Sequence, residues 1–360
     1  MTTPNLKKSD FEVVSLKRNP TSPRTLFGLI MSGIAGLFTL LAIIPLFIIL
    51  TYLITKGIGS LSASVFTELP PPPMVDGGGF GNAIVGTIIM VGIGALISVP
   101  IGIMAAIYLS EFNQSNIYDW ILFAAINIAI ALCVFFSWLG IKFLISVVAS
   151  IAISCLLSLI AWIFIAVILK LNMSKTTKIK EWIRFATNVL SGVPSIIVGV
   201  FAYSAIVLTF KTYSAWAGGF ALSILMLPII VRTTDESLKL VPQDVRQASV
   251  GVGANRYQTV LQVVLPAALP AIITGITLSV ARAAGETAPL LFTALFTQFW
   301  PNWDNLLVEP TASLSVLVYN FAIVPFQNQQ ELAWAAAFIL VLLVLVTSVI
   351  SRLATAKRTY

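Results

Sequence analysis

Arg282 and Glu286 stand four residues apart in ARAAGETAPLLFTALF (281–296), inside one of the most apolar stretches of the chain. On a helix that spacing puts guanidinium and carboxylate on one face, close enough to pair. A charge at the centre of a membrane helix costs about 2.5–3.5 kcal/mol on insertion scales, so two of them are expected to face a bundle interior or a water-filled path. Gly285 and Pro289 bracket the acid, and Pro289 removes a backbone donor and favours a kink. The chemistry open to the pair is electrostatic. Arg282 attracts an anion, and Glu286 tethers or releases the guanidinium as the bundle changes shape. A static pair that fixes helix packing is the other reading of the same residues.

A second constellation is QASVGVGANRYQTVLQVVLP (247–266), polar and small at its front and apolar at its back. It predicts two short helices. The first covers about 242–250, with Pro242 at a permitted first-turn position and Gly251 and Gly253 as stop signals. The second starts at Asn255, a good cap, and runs toward the membrane. Ala248, Ser249 and Gly253 are small enough to let a partner's backbone approach, while Asp244, Arg246 and Arg256 offer exposed charges. Such a loop has the design of a plug for a socket. An ordinary loop of short helices is the plainer alternative.

The elements that must position these residues are membrane helices. Of 360 residues, 58% are hydrophobic and only 10% charged, where soluble domains carry about 25% charged residues. Apolar runs long enough to cross a hydrocarbon core of roughly 30 Å recur along the chain. There is no histidine, which removes imidazole as base, proton relay or metal ligand. Cys133 and Cys155 both lie in apolar runs, where packing is the expected role. The first apolar run, from Thr25, is far longer than the core of a cleaved signal, so none is expected.

Eight spans are expected, at 25–55, 80–110, 117–138, 141–169, 184–210, 216–231, 265–297 and 332–351. The run 216–231 is short and must rely on tilt or neighbours. With the amino terminus inside, 17 of the 21 Lys and Arg residues fall on the cytoplasmic side, as inner loops prefer. The net charge of +7 therefore reflects topology rather than nucleic-acid binding. Both termini are placed inside. Externally, LPPPPMVDGGGFG (69–81) joins stiff polyproline to a glycine turn, and 298–331 carries Trp300, Trp303 and Tyr319, with Trp334 just beyond, residues suited to a membrane interface or a docking surface.

The polar loop carries a resemblance. Permease subunits of ATP-binding-cassette importers contain a cytoplasmic E-A-A-x3-G-x9-I-x-L-P motif. Here Gln247-Ala248-Ser249, Gly253 and Val263-x-Leu265-Pro266 keep every spacing, with Gln for Glu, Ser for Ala and Val for Ile. Asp244 lies near enough to replace part of the lost charge at the helix start. Four further segments, GNAIVGTIIMVGIGALISVPIGIMAAIYLSEF (81–112), LSGVPSIIVGVFAY (190–203), LPIIVRTTDESLKLVP (227–242) and 281–296, together resemble the PstA permeases of bacterial phosphate importers, over about 80–112 and 182–353.

The resemblance implies an all-α polytopic bundle of the type I importer class in the bacterial inner membrane, with the usual core plus an inserted hairpin. It divides the chain into a cytoplasmic tail (1–24), two spans (25–112), the insertion (113–178), a core permease (179–353) with coupling loop 232–264, and a second tail (354–360). Implied partners are a PstC-like second permease, a PstB-like ATPase dimer that uses ATP and Mg, and a PstS-like external phosphate-binding protein. The chain itself is expected to hold no cofactor and to catalyse no reaction, and it lacks a GxxxxGK[ST] loop. The resemblance assigns Asp244, Arg246, Gln247, Ala248, Ser249 and Gly253 to ATPase coupling, and Arg232, Arg282 and Glu286 to a path or gate. A permease for another oxyanion is the alternative. A gradient-driven carrier fits less well, because Glu286 is the sole acid deep in a span and has an Arg partner.

Overall fold

A computed structural model describes residues 23–75, 77–111, 176–303, 305 and 308–356. The spans expected at 117–138 and 141–169, most of the 113–178 insertion and both cysteines lie outside those residues. The chain divides into two units at Thr55 and Lys56. The first holds most of α1 (Pro23–Gly59), which exposes Leu, Ile and Phe on all sides, as a helix surrounded by lipid does.

The second unit begins with the short α2 (Ser64–Thr67) and the long α3 (Gly81–Glu111). Then come α4 (Thr176–Gly192) and α5 (Ser195–Ala202), which continues through a π-helical stretch, Tyr203–Val207, to a last turn at Leu208–Phe210. Helix α6 spans Ala215–Lys239. The loop after it folds into α7 (Gln243–Gly251) and α8 (Arg256–Gln258), and π-helical Thr259–Val264 leads into α9 (Leu265–Ala284). Short α10 (Ala288–Thr293) and α11 (Leu314–Ala322) precede the long α12 (Gln327–Ala356). Among the described residues five helices are long and apolar enough to cross a membrane, or six if α4 and α5 count as one broken span.

Glycines set the central packing. Gly94 faces the Gly219 carbonyl and Leu222, and Gly102 faces Ile230, so α3 and α6 advance in step and run parallel. Small residues let the two backbones approach closely in a medium that gives no hydrophobic drive between helices. Helix α9 runs the other way: its Gly275 meets Thr233, while Ala283 and Ala284 reach the cluster of Met90, Leu222 and Met226.

Four expectations are corrected. The span 184–210 is not one helix, because α4 and α5 meet at a 104° bend. Pro194, at φ −58° and ψ 137°, supplies no N–H and forces the chain out of helix there. The run 216–231 is not short either. Helix α6 continues through its polar end to Lys239, supported by the ion pairs Arg232–Glu236 and Asp235–Lys239 one turn apart. The span 265–297 stops at Ala284, and the segment 298–331 contains the buried helix α11. Ser313 caps α11 through the Val316 amide, and Thr87 Oγ1 accepts from the Leu314 amide at 2.8 Å.

The loop 69–81 is also held down. Gln329 donates to the Pro71 carbonyl and Asn328 to that of Val75. At Gly79 a Cβ would stand 2.2 Å from the Ser64 carbonyl oxygen, so no other residue fits without moving the backbone.

A Cβ at Gly219 would lie 2.5 Å from the Ile93 side chain, whereas one at Gly92 meets nothing within 4 Å. Gly219→Val is expected to cost about 1–3 kcal/mol by overpacking. Thermal unfolding in detergent should show a lowered midpoint for Gly219→Val and an equal or raised one for Gly92→Ala, which meets no neighbour and favours helix.

Candidate functional site

Helix α9 ends deep in the bundle. Ala283 and Ala284 pack with Leu222, Met226 and Ile230, the middle of α6, and the chain then leaves helical geometry at Gly285. A tight turn forms, with the Gly285 amide donating to the Arg282 carbonyl and the Glu286 amide to that of Ala283. Ser315 Oγ donates to the Glu286 carbonyl at 2.8 Å, which ties the break to α11. Discontinuous helices near the middle of a membrane are where transporters place binding groups, since irregular backbone is tolerated only beside protein or a water-filled cavity.

Arg282 Nε lies 3.5 Å from Glu286 Oε1, so the two do pair, although the acid sits beyond the helix end. The expected enclosure within this chain is only half met. Glu286 is 17% exposed, but 66% of the Arg282 side chain stands outside the chain's own packing. Arg232 likewise pairs with Glu236 at 3.1 Å and is 72% exposed. Each arginine is paired with the glutamate one turn further on, so the structure does not bring Arg232 and Arg282 onto a shared acid.

In the polar loop after α6 the boundaries agree with the sequence reading. Pro242 precedes α7, and Gly253 takes φ +91°, a left-handed conformation that other residues reach only with strain, as α7 ends. Asn255 forms a capping box: its side chain accepts from the Gln258 amide at 2.8 Å, and Gln258 Oε1 accepts from the Asn255 amide at 2.9 Å.

The faces of α7 differ from the expected ones. Asp244, Gln247, Ala248 and Gly253 are exposed. Arg246 and Ser249, three apart and so on one face, turn inward. Arg246 Nη2 donates to Glu111 Oε1 at 2.8 Å and to the Leu238 carbonyl at 2.7 Å, and Nη1 donates to the Val241 carbonyl. Ser249 Oγ lies 3.0 Å from Thr259 Oγ1, both buried. Arg256 Nη2 donates to the Glu111 carbonyl. Arg246 and Ser249 are therefore turned toward their own chain, which corrects the expectation that they face outward, while Arg256 bonds the Glu111 carbonyl and stays exposed, as expected. For the two arginines the physical reason is electrostatic: the last carbonyls of α3 and α6 lack helical donors and take the guanidinium groups instead, whereas Ser249 pairs with the Thr259 hydroxyl.

Sequence reasoning missed Glu111, Thr259 and the exposed apolar residues Leu240, Val250 and Val252 around α7. Glu111 carried a signal, because an acid at the carboxyl-terminal end of a helix opposes the helix dipole and calls for a cation. The apolar trio carried none, since it continues the flanking hydrophobic pattern.

Residues 163–359 match the family described as binding-protein-dependent transport system inner membrane component. The chain is similar to the phosphate transport system permease protein PstA of Haemophilus influenzae, at 35% identity over 90% of this chain and 92% of that one. The PstA of Yersinia pestis is 34% identical over 85% and 82%. Among solved structures, the inward-facing MetNI methionine ABC transporter superposes on 78% of this chain and 94% of its own, with a TM-score of 0.49 and 15% identity.

Removing the Asn255 cap is expected to cost about 1 kcal/mol of local stability. Amide exchange over 256–264 should accelerate roughly fivefold in Asn255→Ala, with exchange in α3 unchanged. Equal protection in both proteins would show that the capping box does not hold this segment.

Proposed function

The chain belongs to the PstA family of phosphate transport permeases, within the binding-protein-dependent inner membrane components, and on that premise we propose that it is the membrane subunit of an ATP-driven importer of inorganic phosphate. The observation that carries the proposal is the mounting of α7. Its outer face, with Asp244, Gln247 and Ala248, is free for a partner, while its inner face is fastened to α3, α6 and the π-helical stretch that leads into α9. A helix mounted in this way is a lever for motion delivered from outside the chain.

In this reading a PstC-like subunit completes the pore, and a PstB-like ATPase dimer binds ATP and Mg and grips α7. A PstS-like protein delivers phosphate at the external face. ATP binding closes the ATPase dimer, α7 carries that motion to α6 and α9, and the pore opens outward; hydrolysis resets it inward. Leu240, Val250 and Val252 support a protein partner on this side, because exposed apolar residues clustered outside the bilayer core gain by being covered. Both termini lie in the cytoplasm, in keeping with the distribution of Lys and Arg.

Arg282 supplies the anion contact. An arginine two-thirds outside its own chain at mid-depth would be costly against lipid, so it faces a water-filled path or the second permease subunit. There it meets phosphate as a planar fork of donors, and Glu286 competes for the same guanidinium once the anion leaves. Arg232 lies nearer the inner end of α6 and offers a second cation on the way in. A site of modest affinity suits an importer, which must release its cargo.

Arg282→Gln is expected to lower phosphate uptake by about tenfold or more while the complex still assembles. Unchanged uptake would make the pair a packing feature. Gly253→Asp should insert normally yet fail to associate with the ATPase subunits, and normal association and transport in that variant would refute the lever.

A further inference from the structure

Arg246 occupies a position that the coupling of α7 to a partner does not by itself require. Its guanidinium is only 14% exposed and serves three acceptors on two other helices: the Glu111 carboxylate at the end of α3, and the Leu238 and Val241 carbonyls at and just past the end of α6. Glu111 is itself only 10% exposed and also receives Ser110 Oγ on Oε1. The neighbouring carbonyls of α3 are taken by Lys180, which donates to Leu109 O at 2.8 Å, and by Arg256 on Glu111 O. Asp235 holds Lys239 on the adjoining turn of α6.

We propose that Arg246 is a positioning residue that pins α7 to the inner ends of α3 and α6 together, so that the parallel pair moves as one body when α7 moves. The claim rests on the reading of α7 as the coupling element and goes beyond it by naming the link. Three physical facts support it. The two helices run parallel, so both present carbonyl-rich, partially negative ends to the same side, where they repel one another and attract a cation. A planar guanidinium can serve three acceptors in different directions, which a lysine ammonium on a flexible stem holds less firmly. The pair is nearly buried, and a charge-assisted bond shielded from water is stiff as well as strong. Ser249 and Thr259 add a second tether from the same face of α7 to the π-helical start of α9. Motion of α7 therefore reaches α3 and α6 through Arg246, and α9 through Ser249.

The test uses the whole complex, with its ATPase subunits and external binding protein, in liposomes. Phosphate moved per ATP hydrolysed is measured for wild type, Arg246→Lys, Arg246→Gln, Glu111→Gln and the double variant Arg246→Gln/Glu111→Gln. The expected result is assembled complexes whose transport per ATP falls about tenfold in Arg246→Gln and Glu111→Gln. Arg246→Lys should recover part of it, and the double variant should be no worse than either single one, because both remove the same link. Wild-type transport per ATP in the single variants, or multiplicative losses in the double, would overturn the proposal. Failure of all the variants to assemble would also overturn it, by making the pair a folding element. Gly253→Asp in the same assay keeps the two claims apart. If it leaves association and transport intact, the lever itself fails. If it uncouples while the Arg246 and Glu111 variants behave as wild type, only the pin fails.

Discussion

Parallel packing of α3 against α6 is the constraint from which the rest of the arrangement follows. Gly94, Gly102 and Gly219 allow the two backbones to lie side by side, and parallel direction brings both carboxyl-terminal ends to the same side. Those ends carry carbonyls without helical donors, and Glu111 adds a full negative charge among them. Cations from three other places answer this: Lys180 from α4, Arg246 from α7 and Arg256 from α8. The electrostatic need of one helix pair thus recruits the polar loop that follows it, and holds that loop in a fixed relation to the membrane core.

The second consequence lies at mid-depth. Because α9 runs against α6, its end comes level with the middle of the bundle, and the break at Gly285 falls where an unbroken span would bury the same residues in regular helix. The break frees Glu286 from helical register while Ser315 holds its carbonyl in place. Arg282, the last charged residue of the helix, is left reaching out of the subunit. Arg246 and Arg282 are joined by one continuous path of backbone, from α7 through the capping box at Asn255 and the π-helical segment into α9.

The polar loop after α6 was legible because its punctuation is local. Pro242, Gly253 and Asn255 act on their immediate neighbours, and the structure places helix ends where they stand. Pro194 is the same kind of signal, yet the apolar run around it hid the break, since hydropathy counts composition and not hydrogen bonds. The polar end of α6 was cut short for the opposite reason: RTTDESLK reads as loop by hydropathy but stays helical through its one-turn ion pairs. The directions of Arg246 and Ser249 depend on acceptors at Glu111, Leu238 and Thr259, up to 135 residues away in the chain, and no local pattern encodes them. Arg282 and Glu286 were recognisable as a pair from spacing alone, whereas the exposure of the arginine is a property of the assembled bundle.

The most direct test is the side of the membrane on which α7 lies and what covers it there. With Cys133 and Cys155 replaced, a cysteine at Gln247 can be challenged with a membrane-impermeant thiol reagent in right-side-out and inverted vesicles. The account predicts reaction only in inverted vesicles, and protection there when the ATPase subunits are bound. Labelling in right-side-out vesicles, or full reactivity beneath bound ATPase, would contradict it.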